Sequence, residues 1–139
     1  MSIEVLRRAM IEEALEVNKR QYLLGNLVVP QDLMEILDNN VEAGISKYKE
    51  YVVETPHYHS YCTEYQYVLF EAAKYMDLNT NHVYVVSKGD FFVIRPMTKY
   101  YQKAREGTEI LFFKVPGGND KKEVSLTEEQ EMWGDNYDV

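Results

Sequence analysis

The chain of 139 residues carries 15 lysines and arginines against 23 aspartates and glutamates, which gives a formal charge of −8 at pH 7. This length predicts one domain that buries roughly 68–70% of the surface of the unfolded chain. The single cysteine, Cys62, excludes a disulfide-framed secreted scaffold and favours a reducing compartment. The acidic charge argues against nucleic-acid partners, and no apolar run reaches the ~18 residues of a membrane span. Since Glu4 stands where a signal peptide has basic residues, we expect a cytoplasmic protein without membrane partners.

Residues 1–44 are predicted to form a helical segment and an arm that pack on a barrel. Apolar residues recur at intervals of three and four over residues 2–18, which is typical of an amphipathic helix. Residues 23–29 are mostly apolar and form either a strand or an extended arm that adds a strand to a neighbour's sheet. A second helix is predicted over residues 31–37.

Residues 45–118 have the pattern of a β-barrel. Short runs rich in β-branched and aromatic residues alternate with turn residues. Short strands at such close spacing predict an antiparallel sandwich or barrel. The predicted strands are residues 45–53, 65–70, 74–78, 82–86, 90–94 and 109–115.

Residues 119–139 form an acidic tail with seven acidic and two basic residues, so most of the net charge lies here. Ser125 is a candidate N-cap for a short helix over residues 126–132, and Trp133 would anchor that helix to the barrel. We interpret the tail as a solvated or loose terminus, with an acidic contact for a basic partner as the alternative.

His57, His59 and Glu64 form a pattern with a clear chemical meaning. Alternate side chains of a strand share one face, so both imidazoles would enter the same interior. Glu64 joins them only if residues 60–63 form a turn and Glu64 opens the next strand, which also points Gln66 inward. Two neutral imidazoles and a carboxylate are a ligand set for a divalent metal such as Zn, Fe, Mn or Ni.

The segment that contains these residues resembles the first motif of the cupin family. It reads PHYHSYCTEYQYVLFE over residues 56–71. His57, His59 and Glu64 have the spacing of that motif, whereas Glu71 stands where a turn glycine is usual.

Residues 89–100 read GDFFVIRPMTKY and resemble the second cupin motif. Tyr100 replaces the histidine that gives cupins their fourth metal ligand. Both motifs and their strands cover roughly residues 45–115. The resemblance implies an all-β core, the antiparallel cupin barrel (a double-stranded β-helix or jelly roll), with N-terminal helices and a short C-terminal helix. It also implies a homodimer paired through its sheets.

Three functions remain open for this pocket. In the first, His57, His59 and Glu64 bind a divalent metal, with Tyr100 as fourth ligand or as a nearby hydrogen-bonding group. In the second, no metal binds, and His57 or His59 is the general base while Tyr100 donates a proton. That arrangement is similar to the metal-free cupin epimerases and isomerases of deoxysugar nucleotides. In the third, the pocket only binds a small molecule.

The ligand is predicted to be a sugar or sugar derivative, because residues 113–121 resemble strand ends of small cupins from surface-polysaccharide and sugar-nucleotide pathways. Gln66 is a candidate polar contact, and Tyr61 and Tyr67 are candidate rings for stacking on a sugar. Arg95 is a candidate for binding a carboxylate or phosphate of the ligand, with a solvent-facing strand residue as the alternative.

Overall fold

The structure, a computed structural model, describes residues 2–139 and contains two facing β-sheets and two short helices. In chain order the elements are α1 (Arg8–Val17), β1 (Arg20–Gly25), β2 (Ile36–Leu37), β3 (Glu42–Lys47), β4 (Val52–Val53), β5 (His57–His59), β6 (Thr63–Phe70), β7 (Ala72–Asp77), β8 (Val83–Ser87), β9 (Phe91–Ile94), β10 (Tyr100–Ala104), β11 (Glu109–Val115), β12 (Lys121–Glu123) and α2 (Glu128–Trp133). The first sheet has the order β2-β1-β3-β11-β6-β9, and the second has the order β12-β5-β10-β7-β8, with β4 paired to β10.

The core lies between the two sheets. Tyr48, Val68, Tyr75 and Ile110 are among its buried members, and they come from both sheets and from the loop after β3. Apart from the parallel pair of β1 and β2, the strand pairs of the described chain are antiparallel. The prediction of an all-β antiparallel core is confirmed.

The strands predicted from alternating apolar residues lie close to their observed positions. β11 coincides with the prediction over residues 109–115, and β6 contains the prediction over residues 65–70. β10 was not predicted, because its sequence YYQKA shows no alternation of apolar and polar residues. All five of its residues are nevertheless buried.

The predicted helix over residues 31–37 is wrong. Ile36–Leu37 is β2, which pairs with β1 in parallel. Before it, the Gln31 side chain accepts a hydrogen bond from Tyr22 N at 2.8 Å and donates one to Tyr22 O at 2.7 Å. The Gln31 amide thus satisfies backbone groups of β1, and the chain bends at residues 32–33 before it enters β2.

Of the two alternatives for residues 23–29, a strand or an arm, the structure shows a strand for residues 23–25, which end β1 within the first sheet of their own chain, between β2 and β3. Helix α1 begins at Arg8 rather than at residue 2, and the Gln21 side chain ties it to β1 by donating to Ala14 O at 3.0 Å. The first sheet thus starts before residue 45, which was the predicted start of the barrel.

The acidic tail is docked on the second sheet, so its interpretation as a loose terminus is wrong. The Lys103 side chain is fully buried. Its Nζ donates hydrogen bonds to the carbonyl oxygens of Trp133, Asn136 and Val139 at 2.7, 2.8 and 3.2 Å. The same ammonium lies 4.0 Å from the centroid of the Trp133 ring. Lys103 of β10 therefore attaches residues 133–139 to the second sheet.

The predicted C-terminal helix is present as α2, but Thr127 rather than Ser125 is its N-cap. Thr127 Oγ1 accepts from Gln130 N at 3.2 Å, and the Gln130 side chain accepts from Thr127 N at 2.9 Å, which is a capping box. Trp133 anchors α2 by packing with Met76 and Tyr101. Within the described residues, neither helix has the length and apolar character that crossing a membrane requires.

Candidate metal centre and ligand cavity

A cavity of about 180 Å³ lies between the inner faces of the two sheets. His57, His59 and Tyr100 line it from the second sheet, and Glu64 and Gln66 line it from the first. The inward direction of the latter two follows from the alternating burial along β6. The cavity therefore brings together five of the residues that the sequence marked as candidates.

His57, His59 and Glu64 form a compact set of possible metal ligands. β5 places both imidazoles on one face, and a bend at residues 60–61 leads the chain back so that Glu64 lies near the start of β6. One ligand atom from each residue lies within 4.8 Å of the others, and all three residues are buried.

His57 presents a free imidazole nitrogen to this set. Its Nδ1 lies 2.7 Å from Thr55 O. A carbonyl oxygen only accepts, so Nδ1 carries the proton and Nε2 holds a lone pair. Burial lowers the pKa of His57 to about 4, so the ring is neutral at pH 7. A neutral imidazole with a free nitrogen is the form that binds a metal or acts as a base.

His59 lies between two carboxylates. Its Nδ1 is 2.7 Å from Asp120 Oδ1, and its Nε2 is 2.6 Å from Glu64 Oε1. Despite this short contact, no described residue completes a well-aligned hydrogen bond to Nε2, and that nitrogen is buried. Burial alone would lower the pKa of His59, but the contacts with Glu64 and Asp120 outweigh burial and raise it. The two carboxylates therefore favour a positive charge at this position, which either a protonated His59 or a bound cation supplies.

Asp120 is a site residue that sequence reasoning missed, because it was assigned to the acidic tail. Its Oδ2 accepts hydrogen bonds from Tyr61 N at 3.0 Å and Cys62 N at 2.8 Å, while Oδ1 contacts His59. The pairing of β12 with β5, which sets Lys121 opposite His59, brings Asp120 to this position. Asp120 thus fixes the orientation of the His59 ring and joins it to the bend before β6.

Glu64 is held by a chain of hydrogen bonds. Gln66 Nε2 donates to Glu64 Oε2 at 2.6 Å, and Tyr75 Oη donates to Gln66 Oε1 at 2.8 Å. Burial would raise the pKa of Glu64, but its contacts with His59 outweigh burial and lower that pKa. Gln66, predicted to bind the ligand, therefore lines the cavity and also orients the carboxylate.

Tyr100 lies directly beside His57. The two residues are paired across β10 and β5, and their ring centroids are 4.6 Å apart. Burial, reinforced by the charge of Glu64, raises the pKa of Tyr100 well above its usual value. Without a bound cation the side chain is a neutral phenol at pH 7, which can donate a hydrogen bond or a proton.

The residues around His57, His59 and Glu64 fit a divalent metal. Two imidazole nitrogens and a carboxylate oxygen suit zinc, iron, manganese or nickel. The hydrogen bond from a metal-binding histidine to a carboxylate, which Asp120 supplies here, is typical of such sites. Because Asp120 contacts Nδ1 of His59, the other ring nitrogen, the buried Nε2, is directed toward Glu64.

Three of the residues predicted to bind the ligand lie outside the cavity. Tyr67 is 40% exposed, because Glu64 and Gln66 occupy the inward positions of β6 and Tyr67 points to the other face. Tyr61 is 56% exposed in the bend after β5. Arg95 follows the end of β9 and is exposed. None of these three side chains lines the cavity of the described chain.

Cys62 lies close to His59 and Asp120, but it is not a reactive thiol. It is 1% exposed, and burial raises the pKa of the thiol to about 12. The thiolate is the reactive form of cysteine, so this thiol is inert at pH 7.

The fold defined by these sheets is the double-stranded β-helix of cupins, and solved structures share it. KdgF from Halomonas sp. is 20% identical, with a TM-score of 0.54 over 73% of this chain and 83% of that chain. Streptomyces Pac13, a nucleoside dehydratase, is 16% identical, with a TM-score of 0.55 over 68% of this chain and 76% of that chain. A Klebsiella pneumoniae protein with a double-stranded β-helix domain is 16% identical, with a TM-score of 0.53 over 63% and 77%.

No protein-family model matches the chain, and no curated protein matches it. At these identities the similarity to solved structures shows the fold, that of a small cupin. The same fold carries different reactions in different proteins. The function therefore has to be argued from the residues of the cavity.

Proposed function

We propose that this chain binds one divalent metal through His57, His59 and Glu64 and acts on a small sugar or sugar derivative, as an isomerase or epimerase. The convergence of these three buried ligand atoms within 4.8 Å carries the proposal. A bound divalent ion would supply a Lewis acid that polarises an oxygen of the ligand. Asp120 and Gln66 orient His59 and Glu64, and the Tyr100 phenol donates a hydrogen bond or a proton to the ligand.

The properties of the cavity support a small polar ligand. Its volume of about 180 Å³ is below the ~300 Å³ at which pockets for drug-sized ligands begin, and it suits a ligand the size of one sugar ring. The lining combines aromatic rings with charged and amide groups, which suits the mixed apolar and hydroxylated surface of a sugar. Pac13, which shares this fold, has been solved with uridine, a nucleoside and therefore a sugar derivative.

Metal content tests this proposal directly. Protein purified without an affinity tag should contain close to one equivalent of divalent metal by elemental analysis. The double variant His57→Ala/His59→Ala should contain almost none, because it loses both imidazole ligands. His82→Ala is the matched control, since His82 is the third histidine of the chain and is exposed between β7 and β8. Absence of metal from both the wild type and the double variant would reject the proposal.

A metal-free acid–base reaction is the second candidate, and the pair of His57 and Tyr100 favours it. His57 is neutral with a free Nε2, and Tyr100 is a protonated phenol whose ring centroid lies 4.6 Å away. Such a pair provides a base and an acid on the same wall of the cavity.

For this second candidate, Tyr100→Phe should lower turnover by about 10²–10⁴-fold while the fold stays unchanged. The rate is measured with a substrate found by screening sugars and sugar nucleotides by NMR. Unchanged turnover would exclude Tyr100 as the proton donor. Ligand binding without conversion of any compound would instead favour a binding protein.

A further inference from the structure

The wall of the cavity formed by β1, β3 and β11 carries two cations that no sequence motif marks. Arg20 and Tyr22 project from β1, and Phe112 and Lys114 project from β11. Lys114 lies directly opposite Glu64 in the pairing of β11 with β6. Lys114 is therefore next to the proposed metal ligand Glu64 and lines the same cavity.

Lys114 is largely buried and has unused hydrogen-bond donors. Its side chain is 16% exposed, and its Nζ donates to Tyr22 Oη at 2.8 Å. The carboxylate of Glu42 is 3.6 Å away, beyond hydrogen-bond distance. An ammonium group has three N–H donors, and Tyr22 is its one hydrogen-bond partner among the described residues. The remaining donors require an acceptor, and the cavity is the space that Lys114 lines.

Arg20 is held rigidly on the same wall. Its Nε donates to Ser46 Oγ at 2.8 Å, and its Nη2 donates to Tyr48 Oη at 3.0 Å and to Glu54. No described residue accepts a hydrogen bond from Nη1, so one end of the guanidinium remains available. A guanidinium fixed in this way loses little conformational entropy when it binds an oxygen anion.

The shape of this wall depends on Gly44. The residue lies between Tyr22 and Phe112 in the strand pairing. A Cβ at this position would lie 2.6 Å from the Phe112 ring, so only glycine leaves room for that ring. The Phe112 and Tyr22 rings then pack edge to face at 5.4 Å, and Lys114 Nζ lies 5.1 Å from the Tyr22 centroid. The two rings support the position of the ammonium group.

Ion pairs with Glu54 and Glu42 use only part of the hydrogen-bonding capacity of Arg20 and Lys114. Glu54 neutralises Arg20 and also binds Lys19 at 2.9 Å, and Glu42 lies near Lys114. These acids stabilise the cations in the folded protein, but they leave Nη1 of Arg20 and two protons of Lys114 without hydrogen bonds. Such groups in a cavity are typical of a binding site for an anionic oxygen group.

We infer that the ligand carries an anionic group, a carboxylate or a phosphate, that binds to Lys114 and Arg20 while the rest of the molecule extends toward His57 and Tyr100. This role was predicted for Arg95, which lies outside the cavity. The inference rests on the proposed function in using the same cavity, and it specifies the class of sugar as acidic or phosphorylated.

Calorimetric titration with three matched sugars tests the inference: D-glucose, D-glucuronate and D-glucose 6-phosphate, at constant ionic strength. One of the two anionic sugars should bind at least roughly tenfold more tightly than glucose. The reason is that a hydrogen bond to a charged group is stronger than a neutral one by about the free energy that changes Kd tenfold. Which of the two binds tightly tells a carboxylate site from a phosphate site. Equal binding of all three sugars, or no binding of either anion, would overturn the inference.

Variants of Lys114 test whether the tighter binding of anionic sugars depends on this wall of the cavity. Lys114→Gln should remove most of the preference for the anion, whereas Lys114→Arg keeps the charge and should retain it. Lys122→Gln is the matched control, because Lys122 is exposed on β12 and does not line the cavity. Circular dichroism verifies that each variant is folded. A preference that survives in folded Lys114→Gln would exclude Lys114 as the anion-binding residue.

Metal content measured on the same samples separates the two proposals. Metal in the wild type without any anion preference would reject the inference and leave the proposed function in place. An anion preference in protein without metal would reject the metal-dependent function and leave the inference in place.

Discussion

Replacing Lys103 with methionine is expected to lower the free energy of unfolding by about 3–5 kcal/mol, one of the largest losses that a single side chain of this protein should cause. The ammonium donates to the carbonyl oxygens of Trp133, Asn136 and Val139 and lies over the Trp133 ring. Methionine has a similar length and fills the space, but it leaves three carbonyl groups without a donor. Urea unfolding followed by tryptophan fluorescence measures the loss.

The control for this prediction is Lys122→Met, which makes the same chemical change at an exposed position and should shift stability by less than about 0.5 kcal/mol. Limited proteolysis provides a second measurement, because the residues after Trp133 should become cleavable in the Lys103 variant. A stability equal to that of the control would mean that the bonds to the tail contribute nothing net to folding.

Asp120→Asn is expected to weaken divalent metal binding by about 10–100-fold without unfolding the protein. The aspartate carboxylate accepts hydrogen bonds from Nδ1–H of His59 and from the backbone N–H groups of Tyr61 and Cys62. An asparagine of the same shape keeps one acceptor oxygen but loses the charge, so His59 becomes a weaker ligand and its ring is held less firmly. Competition titration against a metal-binding dye measures the change in Kd.

Asp38→Asn is the matched control for Asp120→Asn. The Asp38 carboxylate also accepts two backbone N–H groups, from Asn40 at 2.8 Å and Val41 at 2.9 Å, in a turn that lies outside the cavity lining. That variant should bind metal as the wild type does. An unchanged Kd in folded Asp120→Asn would show that Asp120 supports the loop and not the histidine.

Local patterns predicted the part of the site that lies within one stretch of chain. His57 and His59 are two residues apart on a strand, and the bend after them brings Glu64 into the same cavity, so the spacing alone suffices. The same alternation that points Gln66 into the cavity points Tyr67 to the opposite face of the sheet, so the two residues cannot both contact a ligand in the cavity.

Tertiary pairing decided the rest of the site. Asp120 lies 61 residues from His59 along the chain, and it reaches His59 through β12, whose sequence KKE has no apolar residue to indicate a strand. Arg20 and Lys114 face the cavity because β1, β3 and β11 are neighbours in the first sheet. No local pattern specifies which strands are neighbours, so these residues could not be identified before the fold was known.

The separation of His59 from Asp120 also has a consequence for the order of events during synthesis. The strand pairing that brings Asp120 to His59 requires β12, which is translated near the end of the described chain. A nascent chain that has exposed only β5 and β6 carries both histidines and Glu64 but has no partner to fix the His59 ring. The full affinity for a cation that we propose for this site therefore requires that β12 has been synthesised and has paired with β5.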